Sequence, residues 1–391
     1  MAPHLDSQPI PWPASWPEDR RNQIVQGQAV ISLADPAETR RIVNSFPIPP
    51  VPEDIAVIQV SFPRIPSPGL EEHPPQGSIN AEWVVATNPT GAVGSGAVAF
   101  YWHGGGYMNG SKDKSRGQAI HLARMGFRVL NCNYRLAPEN PFPAAITDAF
   151  SVYTAVLAQG TDAGRIILAG TSAGAGLVYG LSLYLRDSRN ALPAGLLLLT
   201  PFVDTTVASP SHNLPAEFRC CVLTTQGLHV ASKSYLGSRW PELKRNRYAS
   251  PLFADVDKAA PLPAQLIITG TRDRFLADNV AIGLKRSKDG LEHVQVEIYE
   301  DENHAFLSRT SEALVKVTLH QIATWCTAVL SGGATQTAFR RVREASPHVT
   351  EITRKDATDL VKELLARWKQ DPASKAVEED LMEYEAIVGE A

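Results

Sequence analysis

Residues 165–174 read Arg-Ile-Ile-Leu-Ala-Gly-Thr-Ser-Ala-Gly: a short apolar run, a turn of small residues, and then the helical pattern Ala173–Arg186. Gly170-Thr171-Ser172-Ala173-Gly174 is G-x-S-x-G in strand–turn–helix context, the arrangement of a nucleophile elbow. The turn is tight enough that a Cβ at either flanking position would strike the neighbouring strand and helix. It presents the serine oxygen at the top of a sheet, beside the positive end of a helix. A turn of small residues with a serine N-cap would read the same way, so the motif needs support from elsewhere in the chain.

Moving outward from this stretch, β-rich runs appear at Ile55–Phe62, Ala81–Thr87, Ala97–His103, Phe127–Tyr134, Arg165–Gly170, Gly195–Thr200, Ala264–Gly270 and His293–Tyr299. From the fourth onward most are unbroken apolar runs, as expected for strands buried on both faces. Helical patterns separate several of them, at Lys112–Met125, Ala144–Leu157, Ala173–Arg186, Leu276–Lys288 and Ser311–Leu330. This alternation predicts an α/β protein with a mainly parallel, eight-stranded sheet flanked by helices, the early strands being free to pair antiparallel. In such sheets ligands bind beyond the carboxyl ends of the strands.

Two further signals fall at strand ends. His103-Gly104-Gly105-Gly106-Tyr107 closes the third run. Its glycines let backbone N–H groups turn toward an incoming carbonyl oxygen, and with the N–H of Ala173 they would form an oxyanion hole. Phosphate loops fit poorly, because Asn109 occupies the last glycine position of a G-x-G-x-x-G and Ser111 precedes Lys112. Asn109-Gly110-Ser111 is formally a glycosylation sequon. An elbow serine also needs a carboxylate and a histidine, in that chain order. Asp273 follows the run Ala264–Gly270, and His304 follows the run His293–Tyr299. Asp278 is placed by the pattern at the start of the next helix, and His320 falls inside a helix. Ser172 would attack, His304 would carry the proton, and Asp273 would hold the imidazole.

His103-Gly104-Gly105-Gly106-Tyr107, Asn133-Tyr134-Arg135-Leu136-Ala137-Pro138-Glu139, Gly170–Gly174, Gly270-Thr271-Arg272-Asp273 with Asp278, and His304-Ala305-Phe306 follow one another in this order. Over roughly residues 80–330 the chain resembles the hormone-sensitive-lipase-like esterases of the α/β-hydrolase fold. The resemblance implies Ser172 as nucleophile with Asp273 and His304, and oxyanion donors at Gly104, Gly105 and Ala173. It implies structural roles for residues 134–139 and for His103, which would fix the glycine loop. The proline-rich residues 1–80 and residues 203–250 would form the family's cap. The family usually carries Asp before the serine; here it is Thr171, so hydrogen bonding around the elbow must differ.

The remaining sequence limits the function. The chain has 391 residues, 20% charged, with a net charge of −4, which argues against an electrostatic nucleic-acid binder. No run of eighteen apolar residues suggests a membrane span, and residues 1–20 lack the pattern of a signal peptide. Cys132, Cys220, Cys221 and Cys326 show no metal or disulfide spacing and read as reduced thiols, giving a cytoplasmic expectation. After Leu330 a Ser/Gly/Ala/Thr linker leads into a charged helical tail, 331–391, with stripes Val361, Leu364, Leu365, Trp368 and Val377, Leu381, Tyr384, Val388. The stripes predict packing onto the domain or a second subunit, as in a homodimer, in preference to a separate partner. Deleting 332–391 is expected to change oligomeric state or solubility before chemistry. The expected activity is hydrolysis of a small to medium carboxylic ester, or of a specialised metabolite, through an acyl-enzyme without metal or cofactor. Lactonase, amidase or formamidase, acyltransferase, lyase and non-catalytic small-molecule binding remain open on the same scaffold.

Overall fold

The apolar run Ile166–Thr171 forms β5, near the middle of a ten-stranded sheet in the computed structural model. The structure describes residues 10–70, 76–91, 93–94, 96–214, 218–333, 335–343 and 346–390. Residues 1–9 and 71–75, part of the proline-rich segment read as a cover, lie outside the described residues. The other strands are β1 (Ile55–Pro63), β2 (Ser78–Ala86), β3 (Val98–Trp102), β4 (Arg128–Cys132), β6 (Gly195–Leu199), β7 (Ala264–Gly270), β8 (Val294–Tyr299), β9 (Ala338–Arg343) and β10 (Ser346–Ile352). Their spatial order is β1-β2-β4-β3-β5-β6-β7-β8-β9-β10. β4, β3 and β5 through β9 run parallel, while β1–β2, β2–β4 and β9–β10 pair antiparallel.

The parallel strands β3, β6 and β8 are buried along their whole length, which explains why they read as continuous apolar runs and not as alternating ones. Two apolar layers result. One contains α4 (Ala144–Ala158), α5 (Ala173–Asp187) and α7 (Leu276–Arg286); the other contains α3 (Lys112–Arg124) and α8 (Glu312–Leu330). By length and composition α8 could cross a membrane, yet here Leu314, Ile322, Trp325 and Cys326 are buried within its layer.

Two expectations are corrected at the ends of the sequence. The sheet has ten strands because residues 338–352, read as part of a helical tail, form β9 and β10. Three arginines disguise β9 as a solvated segment, but Phe339 is buried in one layer and Val342 in the other. Arg343 meets Glu300 at 2.7 Å, so its charge is answered at the surface. The tail then continues as α9 (Arg354–Lys369), opened by a Thr353–Asp356 capping box, and α10 (Glu378–Glu390). Both helices pack on α7, burying Val361, Leu364, Leu365, Trp368, Leu381, Tyr384 and Val388; the tail is therefore part of the domain. Residues 1–80 are likewise not all cover, since β1 and β2 lie in the sheet.

The covering part is α1 (Glu18–Ile31) and α2 (Pro36–Ser45), joined by α6 (Thr225–Leu236) from the 203–250 segment. Polar contacts fix α1: Trp16, just before it, donates Nε1–H to Asp301 O at 2.9 Å, Arg20 pairs with Glu302, and Gln28 donates to Arg219 O and Cys221 O at 2.6 Å. Arg40 of α2 donates to Met108 O (2.7 Å) and Ala137 O (2.6 Å) and pairs with Glu139 at 2.8 Å.

Candidate active site

Every residue singled out for chemistry sits at the carboxyl end of a parallel strand: the glycine loop after β3, Ser172 after β5, Asp273 after β7 and His304 after β8. Ser172 stands at φ 57°, ψ −120°, a backbone state rare for a residue with a Cβ, held where β5 breaks into α5. Its N–H donates to Leu199 O at 2.9 Å, and its carbonyl accepts from Gly176 N (2.9 Å) and Phe202 N (3.1 Å). A Cβ on Gly174 would fall 2.1 Å from Trp102 O, so the helix can start this close to β3 only with glycine there.

The His304 imidazole faces Asp273, with Nδ1 3.2 Å from Oδ1 and 3.3 Å from Oδ2. Asp273 is fully buried and also accepts from Phe275 N at 3.0 Å. Phe275 stands edge-on to the imidazole, ring centres 5.0 Å apart, and stacks on Phe202. With Nδ1 engaged by the carboxylate, Nε2 is left for proton transfer. Among the described residues no hydrogen bond joins the Ser172 hydroxyl to His304, although both line one cavity. In unliganded sites this contact is often long.

The glycine loop lies against the elbow: a Cβ on Gly104 would be 3.2 Å from that of Ser172. Gly105 takes φ +116°, which favours glycine, and its carbonyl accepts from Met108 N and Asn109 N at 3.0 and 3.1 Å. The N–H groups of Gly104, Gly105 and Ala173 find no partner among the described residues, which leaves them available as donors. His103 braces the loop. Burial pushes its pKa down to about 4, so it is neutral, and its Nδ1–H donates to Gly104 O at 2.8 Å. Tyr134 stacks on that ring at 4.3 Å and donates its hydroxyl to His103 O at 2.9 Å, the structural part expected of this segment. The exceptional Thr171 pairs its hydroxyl with Tyr101 at 2.7 Å.

The cavity holds about 650 Å³. Its far wall is apolar, with Val30 and Ile31 from α1, Ile42 and Val43 from α2, and Leu228 and Ala231 from α6. Side chains of α1, α2 and α6 thus line the same cavity as Ser172. The exposed His320 in α8 is no part of the cavity lining.

Sequence reasoning missed a second polar cluster. Asp278, expected only at a helix start, is fully buried with its Oδ2 2.7 Å from His212 Nε2. Asp204 is the third member, and one donor atom from each lies within 4.8 Å of the others. Burial and the charge of Asp278 raise the Asp204 carboxyl to about 6. Burial opposes charge on His212, but the two carboxylates prevail and raise its pKa. By ligand type this trio could hold a divalent cation; His212 and Asp278 are in ion-pair contact, yet His212 Nε2 and both Asp278 carboxylate oxygens make no hydrogen bond among the described residues. Nothing in the sequence near Asp204 or His212 carries a metal-site spacing.

A profile of the alpha/beta hydrolase fold matches residues 99–308. An esterase of Acinetobacter venetianus is 35% identical over 204 residues, 52% of this chain and 63% of that protein. An acetyl-hydrolase of Streptomyces hygroscopicus is 37% identical over 191 residues, 49% of this chain and 61% of that protein. The matches thus span about three fifths of the length of these relatives. Among solved structures, an esterase from the bacterial hormone-sensitive lipase family superposes with a TM-score of 0.64 at 26% identity, covering 81% of this chain and 99% of that one. An esterase soaked with p-nitrophenyl butyrate gives the same TM-score and identity over 79% of this chain and 99% of that one. The strand order, the elbow at Ser172 and these matches agree: the chain belongs to the alpha/beta hydrolase family.

Proposed function

We propose that this protein hydrolyses carboxylic esters of small to medium acyl chain through a Ser172–His304–Asp273 triad. The observation that carries the reading is the convergence of Ser172, the Asp273-paired His304 and the glycine loop on one largely apolar cavity. In the first half-reaction Ser172 Oγ adds to the ester carbonyl while His304 Nε2 takes its proton. The oxyanion accepts hydrogen bonds from the N–H groups of Gly104, Gly105 and Ala173. Collapse expels the alcohol, which leaves with the proton from His304, and an acyl-Ser172 ester remains. Water then adds to the acyl carbon, giving its proton to His304. The second collapse returns that proton to Ser172 and releases the acid. Asp273 keeps the Nδ1–H tautomer and offsets the charge of the imidazolium.

Acyl-chain selection would fall to the covering helices, whose side chains form the far wall. The names of the relatives above, an esterase and an acetyl-hydrolase, support the reaction class. The test is a series of p-nitrophenyl esters of rising chain length, assayed for the wild type and Ser172→Ala. Turnover confined to the wild type, with a preference among short to medium chains, supports the reading. Turnover that survives in Ser172→Ala refutes the triad.

A further inference from the structure

Among the described residues that line the cavity, the one permanently charged side chain is Arg309, and no carboxylate lines it. Arg309 lies five residues after His304, where the short turn Phe306–Ser308 ends and its N–H donates to Phe306 O at 2.7 Å. A guanidinium taken partly out of water needs anionic or carbonyl oxygens. The neighbouring arginines have them. Arg20 pairs with Glu302, and Arg272 with Asp301 at 2.9 Å. Arg274 donates to Leu223 O at 2.9 Å and to Thr225 Oγ1 at 3.1 Å. The Arg309 guanidinium has no such partner among the described residues, and no carboxylate shares the cavity with it. Its half-buried side chain is held in a wall otherwise made of apolar groups and neutral amides such as Gln23, Gln26 and Asn109.

We infer that Arg309 is the anchor of an anion subsite, and that the substrate of this cavity is an ester bearing a carboxylate. A carboxylate is the matched partner for a guanidinium, accepting two parallel N–H bonds. Because Arg309 shares a loop with His304, such a group would be held at a set distance from the reacting carbonyl. The subsite reading extends the proposed ester hydrolysis, and its test separates the two.

Two measurements do so. The first compares kcat/KM for matched charged and neutral esters: p-nitrophenyl hemisuccinate against p-nitrophenyl butyrate for an acyl-side carboxylate, and 4-acetoxybenzoate against phenyl acetate for an alcohol-side one. In at least one pair, Arg309→Gln should lower the charged-to-neutral ratio by roughly tenfold or more, mainly through KM, and Arg309→Lys should recover part of it. The second measures binding of hexanoate and hexanamide by calorimetry, which needs no turnover. The wild type should prefer hexanoate and Arg309→Gln should lose the preference. Ester turnover with no Arg309-dependent preference in either pair or in binding overturns the subsite and leaves the hydrolase reading standing. Arg309-dependent hexanoate binding without turnover of any ester upholds the subsite and overturns the hydrolase reading.

Discussion

Replacing Arg20 by alanine should loosen the cover from the histidine loop and lower stability by about 3–5 kcal/mol, the usual cost of removing one member of a buried ion pair. The arginine and Glu302 side chains are 7% and 2% exposed, and a second contact joins Nη1 to Oε1 at 3.2 Å. Two unit charges about 4 Å apart at an effective dielectric near 20 attract by about 4 kcal/mol, consistent with that cost. The guanidinium also lies 4.1 Å over the Trp16 ring, a contact worth about 0.5–1 kcal/mol more. After the substitution Glu302 keeps its 2.7 Å bond from Thr310 but loses its guanidinium. In a chain of this size the loss corresponds to a Tm fall on the order of 5 °C. Amide exchange should rise first in residues 18–31, since α1 is the element released. Because Glu302 stands two residues before His304, KM for esters should rise as well. The double variant Arg20→Met/Glu302→Gln should recover much of the loss, because it removes both charges. A Tm within about 1 °C of wild type, with unchanged exchange in α1, would refute the reasoning.

Other outcomes follow from the same geometry. Asp273→Asn should reduce kcat by about 10⁴ while the protein stays folded, since the amide supports the wrong imidazole tautomer; a loss under tenfold would contradict its role. His103 is neutral in the fold, with a pKa near 4, but titrates at about 6.5 when unfolded. The unfolded chain thus binds the extra proton between those values, and this contribution to stability, full above pH 6.5, is lost as pH falls toward 4. The stability gap between wild type and His103→Gln should therefore shrink over that window, by about 3 kcal/mol, measured by denaturation at pH 7 and pH 4. Deleting residues 353–391 should lower Tm sharply or abolish soluble expression, since α9 and α10 cover α7. A truncated protein that melts with the full chain would show that this packing contributes nothing.

The site was more legible than the edges of the fold, for physical reasons. Gly105, Gly170 and Gly174 stand where an added Cβ would fall within 2.5 Å of neighbouring backbone, so the architecture of the candidate site leaves a signature in the chain. Asp273 and His304 were reachable because each follows an unbroken apolar strand. β9 was not, because an edge-proximal strand with arginines answered by Glu297, Glu300 and Glu351 looks like solvated sequence until its pairing is known. The roles of Arg20, Arg40 and Arg309 were hidden for a different reason. Their partners or surroundings come from distant parts of the chain, and nothing local marks an arginine as paired or free. The Asp204–His212–Asp278 cluster was hidden in the same way, since burial and not spacing gives it its properties.

The most direct test of the central claim is the intact-mass shift after treatment with a small fluorophosphonate, wild type beside Ser172→Ala. The probe needs only an activated serine and donors for its oxyanion. The account predicts one stoichiometric adduct on the wild type, on the peptide that carries Ser172, and none on the variant. A well-folded wild type that takes no adduct, or an adduct that persists in Ser172→Ala, would contradict it.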